Sequence, residues 1–82
     1  MKYMKIIEQV RDSGYTDIQE AIYALDDDEV LDELGLIDDR ETVVEAQGFL
    51  YAWLEDGLTL DRAITMQKAL IERFERMQSI RK

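Results

Sequence analysis

The chain has 82 residues, of which 46% are hydrophobic and 9% aromatic, so we expect a single folded domain spanning 1–82. It contains no cysteine, histidine or proline, which excludes disulfides, thiolate nucleophiles and any metal site or general base that depends on sulfur or imidazole. A net charge of −9 and a pI near 4.3 argue against direct binding to nucleic acid or to an anionic membrane surface.

Three glycines divide the sequence into segments. Gly14, Gly35 and Gly57 are each followed by a large apolar residue. This pattern is typical of a helix that ends with glycine in the left-handed conformation, after which the apolar residue folds back on the last turn. The three glycines therefore predict where three helices end.

Helical periodicity between these stops predicts five helices and no strand. Their expected positions are helix 1 over about 2–13, helix 2 after Thr16, a short helix 3 after Asp26, helix 4 over about 40–56, and helix 5 from Leu60 onward. Capping boxes are predicted at Thr16 with Gln19 and at Asp26 with Glu29. On helix 5, one face is predicted to comprise Leu60, Ala63, Ile64, Gln67, Leu70, Ile71, Phe74 and Met77. The fold class is all-α, a small helical domain with a long C-terminal hairpin of helices 4 and 5 packed by three shorter helices.

Helix 4 is apolar all the way round between Gly48 and Leu54, which predicts burial on more than one side. Glycine in mid-helix costs about 1 kcal/mol relative to alanine, so we expect another helix to approach closely there. Two interpretations stay open. Either this segment is central to an ordinary small core, or it forms a homodimer contact that includes Gly48, Phe49, Tyr51 and Trp53.

The acidic run in the middle of the chain does not match a calcium loop. A loop starting at Asp26 requires glycine at position 31 and an acid at position 37, where the sequence has Leu31 and Ile37. There is no glycine-rich phosphate loop, and neither of the two serines has a base beside it. We therefore predict no catalytic residues, no metal site and no cofactor, and hence a protein that is not an enzyme.

Charge is distributed unevenly along the chain. Residues 12–61 hold sixteen acids and one base, whereas residues 62–82 hold six bases and two acids. Carboxylates spaced along helices can imitate duplex phosphates, so we predict that these acids bind a basic protein that handles nucleic acid. The predicted partner-binding residues are Asp26, Asp27, Asp28, Glu29, Asp32, Glu33, Asp38 and Asp39. The alternative is that the acidity serves solubility alone.

Small acidic proteins without cysteine resemble, as a class, the inhibitors that phages and plasmids encode against restriction, CRISPR or nucleoid proteins. The resemblance is one of size and composition, and it implies an inhibitor or regulator that acts as a DNA mimic. The alternative function is a homodimeric structural or adaptor module. We expect a cytoplasmic protein, because the sequence has neither the continuous apolar run of a secretory signal nor the ~20 apolar residues of a membrane span.

Overall fold

Five α-helices and one short 3₁₀ helix make up the fold. The computed structural model describes residues 2–80, with side chains described as far as Gln78. The segments are α1 (Lys2–Asp12), α2 (Ile18–Leu25), α3 (Asp28–Glu33), the 3₁₀ helix (Ile37–Asp39), α4 (Arg40–Glu55) and α5 (Leu60–Ile80). The predicted all-α fold is confirmed, with two long C-terminal helices that pack against shorter ones.

The predicted glycine turns are present. Gly35 has a φ of 71°, a conformation that side-chain-bearing residues rarely adopt. The N–H of Leu36 donates to the carbonyl oxygen of Leu31 at 2.8 Å, which folds the buried Leu36 side chain back onto α3. Gly14 and Gly57 also have positive φ at the ends of α1 and α4. These three turns fix where α1, α3 and α4 end.

Both predicted capping boxes are wrong by one residue. Asp17, not Thr16, occupies the N-cap of α2, and its side chain makes no capping bond. Asp27, not Asp26, caps α3, because its Oδ1 accepts the N–H of Glu29 at 3.0 Å. Thr and Asp are both good N-cap residues, so adjacent candidates do not reveal which one takes the extended backbone conformation.

The core lies where α4 packs against α1 and α2. The buried side chains of α4 form a single stripe, comprising Val43, Ala46, Leu50 and Trp53. Within the described chain α4 is therefore buried on one side, with Phe49 half-buried beside the stripe, whereas Tyr51 and Leu54 are exposed. The structure does not show a segment buried on several sides in the core, and burial by a second copy stays a prediction. Among the described residues, no polar or charged side chain is buried.

The first half of α5 is attached to α1 by three polar contacts. Asp61 lies 3.6 Å from Arg11 and Lys68 lies 2.7 Å from Glu8, measured between charged atoms. Between them, the Nε2 of Gln67 donates to the hydroxyl of Tyr3 at 2.8 Å. These three contacts hold residues 61–68 of α5 against α1.

The predicted apolar face of α5 is only partly buried. Leu60, Ala63 and Ile64 are in the core, whereas Leu70 and Phe74 are 58% and 61% exposed. The physical reason is length, because the 11 residues of α1 span ~16 Å and the 21 residues of α5 span ~31 Å. The second half of α5 therefore extends beyond the helix that covers its first half.

Candidate functional site

All eight carboxylates predicted to bind a partner are exposed. Six of them lie within the eight residues 26–33, at the end of α2 and along α3. We call residues 26–33 the acidic segment. Within it Leu31 is buried and Val30 is half-buried, so these two apolar side chains hold α3 on the core while its acids face outward. The carboxylates are Asp26, Asp27, Asp28, Glu29, Asp32, Glu33, Asp38 and Asp39.

Contacts with α4 orient the acidic segment. The Nε2 of Gln47 donates to Asp26 Oδ1 at 2.7 Å, and Arg40 Nη2 lies 3.1 Å from Asp28 Oδ1. Both side chains of this ion pair are more than half exposed, so the pair contributes at most ~1 kcal/mol. Because Arg40 is the only base between residues 12 and 61, the segment keeps a strong negative field.

Asp39 has a different electrostatic environment. It lines an open hollow of about 270 Å³ together with Lys2 and Lys5 of α1. Positive charges at this range offset much of the field of one carboxylate. Asp39 is therefore partly offset by two lysines, as Asp28 is by Arg40.

An open hollow that the sequence did not predict adjoins the acidic segment. It has a volume of about 450 Å³ and lies between the α1–α2 turn, α2 and the start of α3. Its lining comprises Gly14, Tyr15, Glu20, Tyr23, Ala24, Asp27 and Val30. Two tyrosine rings and two carboxylates in one open hollow suit an arginine or lysine side chain, which stacks on aromatic rings and pairs with carboxylates.

Tyr23 is a candidate binding residue that was not predicted from the sequence. It stands outside the apolar stripe of α2, which comprises Ile18, Ala21, Ile22 and Leu25. A tyrosine on the outer face of a short helix has no core to fill, and here it is 65% exposed. Exposed aromatic residues are enriched at protein-binding surfaces.

The four residues predicted for self-association have different environments. Trp53 is buried at 8% exposure, whereas Tyr51 is 52% exposed. Phe49 is half-buried and stacks on Tyr3, with ring centroids 4.2 Å apart. At Gly48 a Cβ atom would meet nothing within 4 Å. Among the described residues, the close helix approach expected at Gly48 is therefore not made.

The part of the chain that is described contains no candidate metal site. Within residues 2–80, no three acidic side chains are grouped so that they could hold a metal ion. In the same range, no helix combines the length and apolar character that crossing a bilayer requires.

Comparison with protein-family models, with curated proteins and with solved structures finds no match to this chain. Its function is therefore inferred from its surface. The two notable surface features near α3 are the acidic segment and the tyrosine-lined hollow beside it.

Proposed function

We propose that the protein is a non-enzymatic, cytoplasmic binding protein that inhibits or regulates a basic, nucleic-acid-handling protein by acting as a DNA mimic. The single observation that carries the proposal is the acidic segment. Six of its eight residues are acids, all six are exposed, and only Arg40 opposes them in the middle of the chain. A surface of this charge attracts a positively charged groove and accelerates association with it.

The density of charge on α3 is close to that of duplex nucleic acid. Four of the six residues of α3 are acids, and six helical residues span ~9 Å, which gives one carboxylate per ~2 Å of axis. Duplex DNA carries one phosphate charge per ~1.7 Å when both strands are counted. A groove that binds duplex phosphates therefore meets a similar charge density on α3.

Folding alone does not account for where these acids lie. Asp28 and Glu29 are in the first turn of α3, where the helix dipole favours negative charge. Asp32 and Glu33 are at the opposite end, where the dipole disfavours negative charge by ~0.3–1 kcal/mol each. Acids at a position that costs stability support a role in binding.

The tyrosine-lined hollow supports a basic protein as the partner. Its lining includes the rings of Tyr15 and Tyr23, and aromatic rings bind guanidinium groups, while Glu20 and Asp27 supply acceptors. An arginine inserted there would give the complex a specific contact in addition to long-range attraction. We therefore expect arginine side chains of the partner in this hollow.

Affinity capture from lysate tests the proposed function. With the parent protein as bait and nuclease present throughout, we expect mass spectrometry to identify a basic DNA- or RNA-binding protein that elutes as salt rises. Tyr23→Ser, which alters an exposed side chain, should capture less of it. Capture of no basic protein contradicts the proposal, and capture of nothing but further copies of the chain favours the homodimeric module instead.

A further inference from the structure

The second half of α5 presents an apolar face that the described part of the chain leaves uncovered. Four large side chains spaced three or four residues apart lie along it, and each is between 48% and 61% exposed. We call this the free face of α5, comprising Met66, Leu70, Phe74 and Met77. A contiguous exposed apolar patch is a feature of interaction sites. Most of the stability of a helix in a protein comes from the packing of its apolar face, which this half of α5 lacks among the described residues.

The surface of α4 has a complementary feature around Gly48. An open hollow of about 260 Å³ is lined by Glu45, Gly48, Phe49 and Ala52, and nearly all of its surface is apolar. No turn or neighbouring helix requires the glycine, because its φ is not positive and a Cβ atom there would meet open space. The cost of a mid-helix glycine, ~1 kcal/mol, is therefore not offset by any contact of residues 2–78.

These two surfaces adjoin each other. Phe49, at the edge of the α4 hollow, stacks on Tyr3, whose hydroxyl accepts a hydrogen bond from Gln67. Gln67 in turn lines a groove on α5 together with Leu70 and Phe74. The α4 hollow and the free face of α5 are thus linked through one aromatic contact and one hydrogen bond.

We infer that a second copy of this chain covers both surfaces, with the free face of each α5 packed into the α4 hollow of the other copy. In a dimer with a two-fold axis each contact occurs twice, so one self-complementary patch on each copy is sufficient to form the interface. The hollow admits the incoming helix closely because residue 48 has no side chain. The same contact explains both the uncovered apolar face and the exposed glycine.

The charges favour a contact between α5 of one copy and α4 of the other over a contact between two α5 helices. From Glu41 to Asp56 the chain carries only acids, four in all. Lys68 is paired with Glu8, but Arg73 lies three residues after Leu70 and four before Met77 and so shares the free face, whereas Glu45 lines the α4 hollow. Packing α5 on α4 therefore brings opposite charges together, whereas packing α5 on α5 does not.

The size of the contact predicts moderate affinity. A standard interface involves about 20–30 residues on each side, whereas this contact comprises four side chains of α5 and four residues of α4 in each copy. We therefore expect dissociation in the micromolar range. The dimer does not use the acidic segment, so this inference stands independently of the proposed function.

Sedimentation velocity over a dilution series tests the inference. We expect a dimer that weakens at least tenfold in the variant Leu70→Gln/Phe74→Gln and also in Gly48→Leu. Ile37→Gln/Leu54→Gln, which changes two side chains that are also exposed but line neither surface, is the matched control and should dimerise like the parent. All variants should keep the helical circular dichroism of the parent, and Gly48→Leu should melt at the same or a higher temperature.

Three outcomes overturn the inference. The first is a parent protein that stays monomeric at hundreds of micromolar. The second is a dimer that the Leu70/Phe74 variant leaves intact, because the free face is then not involved. The third is a dimer that survives Gly48→Leu, because the α4 hollow is then not the contact.

Discussion

Replacing Trp53 with alanine is expected to lower the free energy of unfolding by about 3–5 kcal/mol. The indole ring is buried at 8% exposure on the core stripe of α4, and its centroid lies 6.2 Å from that of Phe49. Its removal leaves a cavity between α4 and its neighbours, in a domain whose whole stability is of the order of 5–15 kcal/mol. Urea denaturation followed by circular dichroism measures the loss without relying on tryptophan fluorescence.

Phe74→Ala is the matched control for that prediction. Phe74 belongs to the predicted apolar face of α5, yet it is 61% exposed. In dilute, monomeric protein we expect its replacement to change the free energy of unfolding by no more than about 0.5 kcal/mol. Equal losses from the two variants would mean that α5 packs on the core along its whole length, contrary to the structure.

Neutralising the acidic segment is expected to have the second large effect. Replacing Asp26, Asp27, Asp28 and Asp32 with asparagine removes four exposed charges while keeping side-chain size. Stability should stay similar or rise slightly, because repulsion is relieved and asparagine at position 27 can still cap α3. Binding to the captured basic partner should fall roughly tenfold to a thousandfold, if each exposed ion pair contributes up to about 1 kcal/mol. Isothermal titration at several salt concentrations measures both the affinity and its salt dependence.

The control for that variant removes the same number of charges elsewhere. Glu55, Asp56, Glu72 and Glu75 are exposed and lie outside the acidic segment, so converting them to glutamine or asparagine gives an equal net charge. This control should keep most of the affinity and of the salt dependence. If the segment variant binds as tightly as the parent at low and at high salt, the acids serve only solubility, and Tyr51 becomes the better candidate for recognition.

Much of the fold could be predicted because local signals agree with one another. The glycine turns ended α1, α3 and α4 within one or two residues of the predicted positions. The apolar stripe predicted for α2 is buried in full. In these segments periodicity, glycine and capping residues all indicate the same boundaries, which is why sequence alone was sufficient.

The burial of individual side chains could not be predicted, because it depends on how far one helix covers another. Periodicity correctly placed Leu60 and Phe74 on the same side of α5, but only the length of α1 decides that Leu60 is buried and Phe74 is not. The same limit applies to α4, where an apolar sequence all round did not reveal that Trp53 faces the core and Gly48 faces open space. Burial is a property of the assembled helices.

The candidate site was predictable in part. Exposure of the acidic segment follows from its composition, because unpaired acids are rarely buried. The hollow beside it was not predictable, since Tyr15 and Tyr23 line one hollow only after the turn at Gly14 sets α1 against α2. No local pattern in the sequence indicates that these two side chains line the same hollow.

Displacement of duplex DNA from the captured partner tests the central claim most directly. The partner is first bound to fluorescently labelled duplex, and the parent protein is then titrated in while anisotropy is recorded. If the acidic segment occupies the groove that binds nucleic acid, the labelled duplex is released in full, and the variant with Asp26, Asp27, Asp28 and Asp32 changed to asparagine releases far less. A ternary complex in which the duplex stays bound at saturating protein would contradict the account.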